Sequence, residues 1–251
     1  MSLSAPFLKR ITVLPEKADK NAFPFGHLRF LKDLELQLDF TTPVTIFVGE
    51  NGSGKSTLME ALAVMCGFHR GGGSEMHQLH GVDDGMASAL PTALRPSWLP
   101  KVNKGWFFRS ESFFDIARYV DTEGSPVQFY GGKELHAQSH GESFLSLFGH
   151  RLGSEGRAMY LMDEPETALS PQRQLAFLRI LRDWELSGNV QVIMATHSPI
   201  LMSYPGARLI SFDGSELAET TPEDTEHYRV TKAFLGNPQR HLEELFRDDE
   251  V

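Results

Sequence analysis

The chain has 251 residues, 41% of them hydrophobic and 23% charged, which is the composition of an ordinary soluble globular protein. Its net charge of −9 argues against nucleic-acid binding, because proteins of that class usually carry an excess of Lys and Arg. No apolar run approaches the roughly 20 residues of a membrane-spanning helix, and the first residues lack the order of a signal peptide. The single cysteine, Cys66, can form no internal disulfide, so we expect a cytoplasmic protein without a membrane segment.

The N-terminal part of the chain predicts short strands. Ile11 to Leu14 is a first β-rich run, and Val44 to Val48, which is uncharged and mostly β-branched, predicts a buried strand. Between them, apolar and polar residues alternate over much of residues 30–40, which indicates a half-exposed antiparallel strand. The alternating apolar residues are Phe30, Leu34, Leu36 and Leu38. We therefore expect an antiparallel β portion ahead of the main sheet.

A glycine-rich loop follows the buried strand. Residues 49–56 fit the pattern G-x-x-x-x-G-K-[ST], and the residues from Thr57 to Cys66 predict a helix. Glycines let successive backbone N–H groups turn towards an anion, and the start of a helix adds its positive dipole end. Lys55 would reach the β- and γ-phosphates of a nucleotide, and the Ser56 hydroxyl would bind Mg²⁺. The predicted nucleotide-binding residues are Gly49, Glu50, Asn51, Gly52, Ser53, Gly54, Lys55, Ser56 and Thr57.

The middle of the chain gives weaker patterns. Residues 68–104 combine glycines, prolines and three histidines whose irregular spacing matches no metal-binding pattern, so we interpret this stretch as a mobile loop. Trp106 to Phe108 predicts a short strand that leads towards Glu111. Helical periodicity then follows residues 138–145 and continues to about Leu152.

The C-terminal half alternates strands with helices. Ala158 to Met162 predicts an uncharged strand that leads into Asp163-Glu164-Pro165, and a helix from Pro171 ends before Gly188. Further strands are predicted over residues 190–195 and 208–212, and two amphipathic helices within residues 222–251. This alternation predicts one α/β domain over residues 1–251, with a mostly parallel sheet flanked by helices.

Polar residues that follow the predicted strands define a candidate site, because ligands of parallel α/β sheets lie beyond the carboxyl ends of the strands. Asp163 would hold Mg²⁺ opposite Ser56, and Glu164 would orient or deprotonate an attacking water. His197 would contact the γ-phosphate or hold the water. The predicted catalytic residues are thus Lys55, Glu164 and His197, and the predicted metal ligands are Ser56 and Asp163.

The order of these motifs resembles that of ATPases of the ATP-binding-cassette (ABC) type, and more closely the soluble SMC/RecF/OLD-like branch, a predicted AAA-type ATPase family. The resemblance rests on GENGSGKST at residues 49–57, DEPE at 163–166 and THSP at 196–199, and it extends from about residue 28 to 212. It implies that a signature segment of one subunit closes over the nucleotide held by another. The matching residues are Ser139, His140, Gly141 and Glu142. The glutamine that this family carries after the strand near Trp106 is missing, and Glu111 is its predicted substitute.

The resemblance implies a P-loop NTPase of the ABC-ATPase type that takes ATP as substrate, uses Mg²⁺ and hydrolyses ATP to ADP and phosphate. The implied mechanism is a nucleotide-driven switch in which two copies form an ATP-dependent head-to-tail homodimer. An alternative function is that of the ATP-binding, energising subunit of a membrane transporter. The resemblance suggests DNA as a partner, but the acidic net charge does not support DNA binding. The sequence identifies no protein partner.

Overall fold

The computed structural model describes residues 3–74, 89–110 and 140–247 of the chain. Its strands are β1 (Leu8–Val13), β2 (Gln37–Asp39), β3 (Val44–Val48), β4 (Leu94–Trp98), β5 (Gly105–Arg109), β6 (Ala158–Asp163), β7 (Val190–Ala195), β8 (Ala207–Ser211) and β9 (Ala218–Thr220). Its helices are α1 (Lys55–Cys66), α2 (Leu90–Ala93), α3 (His140–Ser146), α4 (Pro171–Ser187), α5 (Pro199–Met202), α6 (Glu226–Gly236) and α7 (Pro238–Leu245). The strands belong to two sheets.

Three strands form a small antiparallel sheet in the order β2-β1-β4. On the central strand β1, Ile11 lies opposite Leu38 on one side and Pro96 on the other. Because β4 pairs only with β1 among the described strands, it is an edge strand, where a proline that lacks a backbone N–H is tolerated. The antiparallel β portion expected from the sequence is confirmed.

Two segments differ from the prediction. The strand expected over residues 30–40 shrinks to the three residues of β2, because the chain first makes a 3₁₀ turn at Arg29–Leu31 and Leu34 has a left-handed backbone with φ of 57°. The alternating apolar residues are nevertheless buried, so the pattern correctly indicated which residues are buried but did not indicate a continuous strand. The loop expected over residues 68–104 contains α2 and β4, where Pro91 lies at a helix start and Pro96 in an edge strand.

The main sheet has six strands in the order β5-β6-β7-β3-β8-β9, and within the described ranges only the edge strand β9 runs antiparallel to its neighbour. The register brings the carboxyl ends of the central strands to one edge. Arg109 lies opposite Asp163, Asp163 lies opposite Ala195, and Ala195 pairs with Phe47, two residues before the glycine-rich loop. The predicted fold class, a mostly parallel α/β sheet flanked by helices, is confirmed.

Two apolar cores lie on the two faces of the main sheet, because consecutive residues of a strand point to opposite sides. Phe47 of β3 belongs to the core that also contains α1 and the antiparallel sheet. Its neighbours Ile46 and Val48 belong to the other core, with Phe177 of α4 and Phe144 of α3. The strand that leads into the glycine-rich loop is therefore packed on both faces.

One buried polar side chain joins the two sheets. Gln191 of β7 is fully buried, and its Oε1 accepts the backbone N–H groups of Phe7 at 2.7 Å and Leu8 at 2.8 Å. Its Nε2 donates to the Leu8 carbonyl at 3.1 Å. These three bonds satisfy the buried amide, as native proteins require, and they hold β1 against the centre of the main sheet.

The last two helices are attached to the rest of the protein at one end. Thr225, which is buried, caps α6 by accepting the N–H of Tyr228, and the Tyr228 side chain packs against the core under α4. Residues 226–247 are termed the C-terminal arm. Beyond its first turn, large apolar side chains are exposed, namely Val230, Phe234, Leu235, Leu242, Leu245 and Phe246. No helix in the described part of the chain is long and apolar enough to cross a membrane.

Candidate functional site

Three glycines set the conformation of the loop between β3 and α1. Gly49, Gly52 and Gly54 have φ of 140°, 78° and 101°, a region that residues with a side chain rarely adopt. Space adds a second constraint at Gly54, where a Cβ would lie 2.8 Å from Leu28 Cδ1 and 2.9 Å from Phe30 Cε1. At Gly52 a Cβ would have nothing within 4 Å, so only the backbone requires glycine there.

Lys55, the first residue of α1, lies across this loop and is 4% exposed. Its ammonium group donates to the carbonyl oxygens of Gly49 at 2.7 Å and Glu50 at 2.9 Å. Burial lowers the pKa of Lys55, and the charges of Glu164 and Asp163 oppose that shift. A buried ammonium group at a helix start and beside a glycine-rich loop is suited to an anionic ligand such as a phosphate.

Asp213, which the sequence analysis did not select, holds the loop in place. Its Oδ1 accepts the backbone N–H of Glu50 at 2.7 Å. A Cβ on Gly49 would lie 2.8 Å from the same oxygen, so the loop and this carboxylate are in close contact. A signal was present in the sequence, because Asp213 directly follows a predicted strand, as Asp163 does.

Asp163 and Ser56 meet at the carboxyl edge of the sheet, where the Ser56 hydroxyl donates to Asp163 Oδ1 at 3.2 Å. Asp163 is 6% exposed, and burial raises its pKa to about 6 although the Arg109 charge acts in the opposite direction. A bound cation would favour the ionised form of such a carboxyl. Within the described ranges no group of three or more His, Cys, Asp or Glu residues is placed to hold a metal. Two oxygen ligands fit Mg²⁺, which keeps water and phosphate oxygens for its remaining positions.

A cluster of charged residues lies beside Asp163. Arg109, at the end of β5, is 2.9 Å from Glu60 Oε1, and Arg70 is 2.9 Å from Glu60 Oε2. Glu60 lies on α1, so the cluster ties the helix that follows the glycine-rich loop to the strand beside β6. It also keeps a positive charge near Asp163, where that charge lowers the pKa of the carboxyl.

Glu164 combines a strained backbone with an accessible carboxylate. Its φ of 51° and ψ of 55° are left-handed, a conformation that costs a residue with a side chain about 1–2 kcal/mol. Its N–H donates to the Ala195 carbonyl at 2.9 Å, which fixes the turn against β7. The side chain is 37% exposed, and its Oε1 lies 3.6 Å from His197 Nε2. Strain of this kind is concentrated at functional sites.

His197 is positioned by its backbone and by its surroundings. Glu166 Oε1 accepts the His197 N–H at 2.6 Å, and Glu166 Oε2 accepts the Thr196 hydroxyl at 2.7 Å. Burial lowers the pKa of His197 to about 4, and the Lys55 charge adds to that shift, so the ring is neutral at neutral pH. Its Nε2 is buried and has no hydrogen-bond partner among the described residues. This nitrogen is therefore available to a ligand beside Glu164.

A second histidine contacts His197, and no sequence signal pointed to it. His227 lies in the first turn of α6, and its Nε2 is 2.9 Å from His197 Nδ1. The two rings lie 4.5 Å apart between their centroids. On its other side, His227 Nδ1 is 3.8 Å from Glu50 Oε1 of the glycine-rich loop. The fold thus brings the C-terminal arm to the same edge of the sheet.

The structure places the predicted catalytic and metal-binding residues together. The charges of Glu164 and Asp163 act on Lys55, Ser56 bonds to Asp163, and Glu164 lies beside His197. Their roles stay predictions. In the remaining loop positions, Asn51 and Gly52 are exposed, Ser53 Oγ accepts from Lys55 Nζ at 3.4 Å, and Thr57 is half-buried in α1.

The predicted signature segment is described only in part. Ser139 and Glu111, the predicted substitute for the family's glutamine, lie outside the described residues. His140 is the first residue of α3, so the segment leads into a helix start.

The next two residues of this segment pack against neighbouring elements. A Cβ on Gly141 would lie 2.6 Å from Arg173 Cδ and 3.0 Å from the Ala168 carbonyl oxygen, so the backbones approach closely here. Glu142 Oε1 lies 3.3 Å from Arg173 Nη2 on α4. Contact between this segment and the nucleotide of a second subunit stays a prediction.

Family models and solved structures agree with this arrangement. A model described as an AAA domain matches residues 25–81, and one described as an AAA domain of a proposed AbiEii toxin, type IV TA system, matches residues 143–203. A metal-chelate-type ABC transporter in an inward-facing conformation matches with a TM-score of 0.53 and 18% identity, over 92% of this chain and 90% of that one. An ATP-binding cassette of an ABC transporter matches with a TM-score of 0.52 and 15% identity, over 94% and 97%. The chain is a P-loop ATPase with the ABC-type fold.

Curated relatives of this ATPase have different roles. The zinc import ATP-binding protein ZnuC of Paracoccus denitrificans is 23% identical over 88% of this chain and 84% of its own. The hemin import ATP-binding protein HmuV of Rhodococcus jostii is 25% identical over 90% and 82%. The translation initiation factor RLI1 of Saccharomyces cerevisiae is 24% identical over 82% of this chain, which spans only 32% of that protein. The predicted ATPase activity is confirmed, while the SMC/RecF/OLD-like branch stays a prediction.

Proposed function

We propose that this ATPase binds Mg²⁺-ATP between its glycine-rich loop and Asp163, and that it serves as the ATP-binding subunit of a membrane transporter. The similarity to ZnuC and HmuV supports this function, because it covers 82–84% of those proteins, whose names describe them as import ATP-binding proteins. A match of that extent includes the parts of the domain outside the nucleotide motifs.

Nucleotide binding would exchange the partners of Lys55. Its ammonium group donates to two neutral carbonyl oxygens of the glycine-rich loop. Phosphate oxygens are charged acceptors and form stronger, shorter bonds with an ammonium group. Because Lys55 is buried, its interaction with the β- and γ-phosphates would be weakly screened by water.

Ser56 and Asp163 would hold the magnesium ion. When bound, Mg²⁺ would neutralise the negative charge that develops on the phosphate oxygens during hydrolysis. The protein would contribute two oxygen ligands at the edge of the sheet, and a bound cation would favour the ionised form of the buried Asp163 carboxyl.

In the hydrolysis step, Glu164 would accept a proton from the attacking water. The water oxygen forms a bond to the γ-phosphorus, the bond from that phosphorus to the β–γ bridging oxygen breaks, and ADP leaves with the electron pair. His197 Nε2 lies beside Glu164 and would donate a hydrogen bond to the γ-phosphate. The neutral ring is the form that has one donor and one acceptor nitrogen.

ATP would also favour a closed pair of subunits. In the proposed homodimer, α3 of one copy presents its start, with Gly141, to the nucleotide of the other copy. The same helix packs on the Pro165–Ala168 turn that directly follows Glu164. When α3 contacts the nucleotide of the other copy, it could therefore shift the position of Glu164 in its own copy through this turn.

The test combines activity with capture. Wild-type protein should release phosphate from Mg²⁺-ATP, Glu164→Gln should bind ATP without releasing phosphate, and Lys55→Ala should lose ATP affinity in calorimetry. Tagged Glu164→Gln, held in ATP, is then incubated with detergent-solubilised membranes, with Lys55→Ala as matched control. An integral membrane protein retained by Glu164→Gln and absent from the control would support the transporter function. Unchanged ATP affinity of Lys55→Ala would contradict the assignment of the site.

A second candidate is a soluble dimer switch that acts on another kind of partner. The family models support it in that both describe AAA domains and neither description names a transporter. The same capture experiment separates the two functions. A Glu164→Gln dimer that forms in ATP and retains no membrane protein would favour the soluble switch.

A further inference from the structure

The C-terminal arm contributes a side chain to the catalytic edge of the sheet. His227 lies on α6, outside the elements that carry the nucleotide motifs, yet its Nε2 is 2.9 Å from His197 Nδ1. The contact is a hydrogen bond between two imidazole rings, so one nitrogen must donate and the other accept.

Two arrangements of the hydrogens satisfy this bond. If His197 Nδ1 donates, its Nε2 carries only a lone pair, which would face Glu164 Oε1 at 3.6 Å. Two acceptors that face each other form no hydrogen bond, and a γ-phosphate oxygen would add a third acceptor. If His227 Nε2 donates, His197 Nδ1 accepts and His197 Nε2 carries the hydrogen. That form places a donor where both the carboxylate and a phosphate oxygen need one.

The surroundings of His227 favour the second arrangement. Its Nδ1 lies 3.8 Å from Glu50 Oε1, beyond direct hydrogen-bond distance, and the Glu50 side chain is 58% exposed, so water can donate to both acceptors there, whereas His197 Nε2 is buried. Its side chain is 28% exposed, against 19% for His197, so His227 keeps access to water. His197 faces the Lys55 charge, which opposes a positive charge on its own ring.

The backbone around His227 keeps the ring in place. Thr225 is buried, its hydroxyl donates to the Pro222 carbonyl at 2.7 Å, and it caps α6 two residues before His227. Tyr228 packs against the core under α4. The first turn of the arm is therefore fixed, while the residues beyond it are exposed.

We infer that His227 is a positioning residue of the ATPase, which holds His197 in the form with the hydrogen on Nε2 and thereby presents a donor to the γ-phosphate. The inference rests on the proposed role of His197. It assigns a function in the catalytic site to the C-terminal arm.

The test uses three variants and one control. His227→Phe keeps a ring against His197 and removes the donor, whereas His227→Gln restores an amide N–H near the same position. His241→Ala removes a histidine of α7 whose ring contacts Phe234. His197→Gln tests the proposed role of His197 itself. Steady-state phosphate release gives kcat and KM, and thermal unfolding shows whether each variant is folded.

We expect His227→Phe to lower kcat by about tenfold or more with little change in KM, because the lost interaction acts on the transition state. His227→Gln should recover most of that loss, and His241→Ala should match the wild type. In ¹⁵N spectra of labelled protein, the His197 resonances, identified by their loss in His197→Gln, should show hydrogen on Nε2 in the wild type and a mixture of both forms in His227→Phe.

Several results would overturn the inference. If His227→Phe keeps the wild-type kcat while His197→Gln is impaired, the proposed role of His197 stands and the proposed role of His227 is wrong. Equal losses in His227→Phe and His227→Gln, or hydrogen on His197 Nδ1 in the wild type, would also contradict it. Wild-type kcat in His197→Gln would instead refute the proposed role of His197, and the inference with it.

Discussion

Replacement of Gly54 by alanine tests whether the glycine-rich loop is packed as described. Gly54 has φ of 101°, and an added Cβ would lie 2.8 and 2.9 Å from the two Cδ atoms of Leu28 and 2.9 Å from Phe30 Cε1. Real Cβ atoms essentially never approach other heavy atoms so closely. Leu28 and Phe30 are both buried, so neither side chain can move into solvent without losing core contacts.

Two unfavourable terms add up at this position. The left-handed backbone costs alanine about 1–2 kcal/mol relative to glycine. Crowding in a packed core adds about 1–3 kcal/mol. Alanine also reduces the conformational entropy of the unfolded chain, which stabilises the folded protein by about 0.4–1 kcal/mol. We therefore expect Gly54→Ala to lower the free energy of unfolding by about 2–4 kcal/mol, and Gly52→Ala, which has open space around it, to lower it by about 1 kcal/mol.

Urea unfolding followed by tryptophan fluorescence measures both losses, since Trp106 and Trp184 are buried. Leu28→Ala removes both Cδ atoms, so Gly54→Ala should cost at least about 1 kcal/mol less in that background than in the wild type. The reasoning would be refuted if Gly54→Ala and Gly52→Ala destabilised the protein equally, or if the Leu28→Ala background left the cost of Gly54→Ala unchanged.

Three further predictions concern the site. Glu164→Gln should keep ATP affinity and form a dimer in saturating Mg²⁺-ATP that light scattering detects; a monomer under those conditions would contradict the closed pair. Asp213→Ala should weaken ATP binding in calorimetry by about fivefold, through loss of one hydrogen bond to the loop, and Asp213→Asn should restore most of it. His197 has a pKa of about 4 in the folded protein, against 6.5 normally. As the pH falls, the unfolded chain therefore binds a proton at this histidine before the folded protein does. Between pH ~7 and pH ~5 this difference lowers the free energy of unfolding by about 2 kcal/mol. In urea unfolding at those two pH values, His197→Gln should lose less stability than the wild type; an identical loss would contradict the buried, neutral ring.

Much of the fold and of the site could be predicted, because the sequence carries the signal locally. The buried strand Val44–Val48, the loop glycines and the Asp163-Glu164 pair each lie in a continuous stretch with its own pattern. The parallel sheet then brings the strand ends together, so residues far apart in the chain could be expected to meet.

Other features depend on contacts that no local pattern reports. The edge strand β4 contains Pro96, and a proline argues against a strand when only the sequence is known. It is tolerated here because β4 pairs with a single described strand, β1. His227 reaches His197 only because Thr225 and Tyr228 anchor α6 beside α5. The Glu166 carboxylate, which bonds to both Thr196 and the next backbone N–H, likewise needs the fold to be recognised.

The C-terminal arm has a practical consequence for anyone who makes this protein. Shortening the chain before Glu226 would delete the histidine that contacts the His197 ring, although the removed residues are largely exposed and look dispensable. A purification tag is accordingly safer at the amino end, and a fusion at the carboxyl end should be checked for turnover as well as for yield.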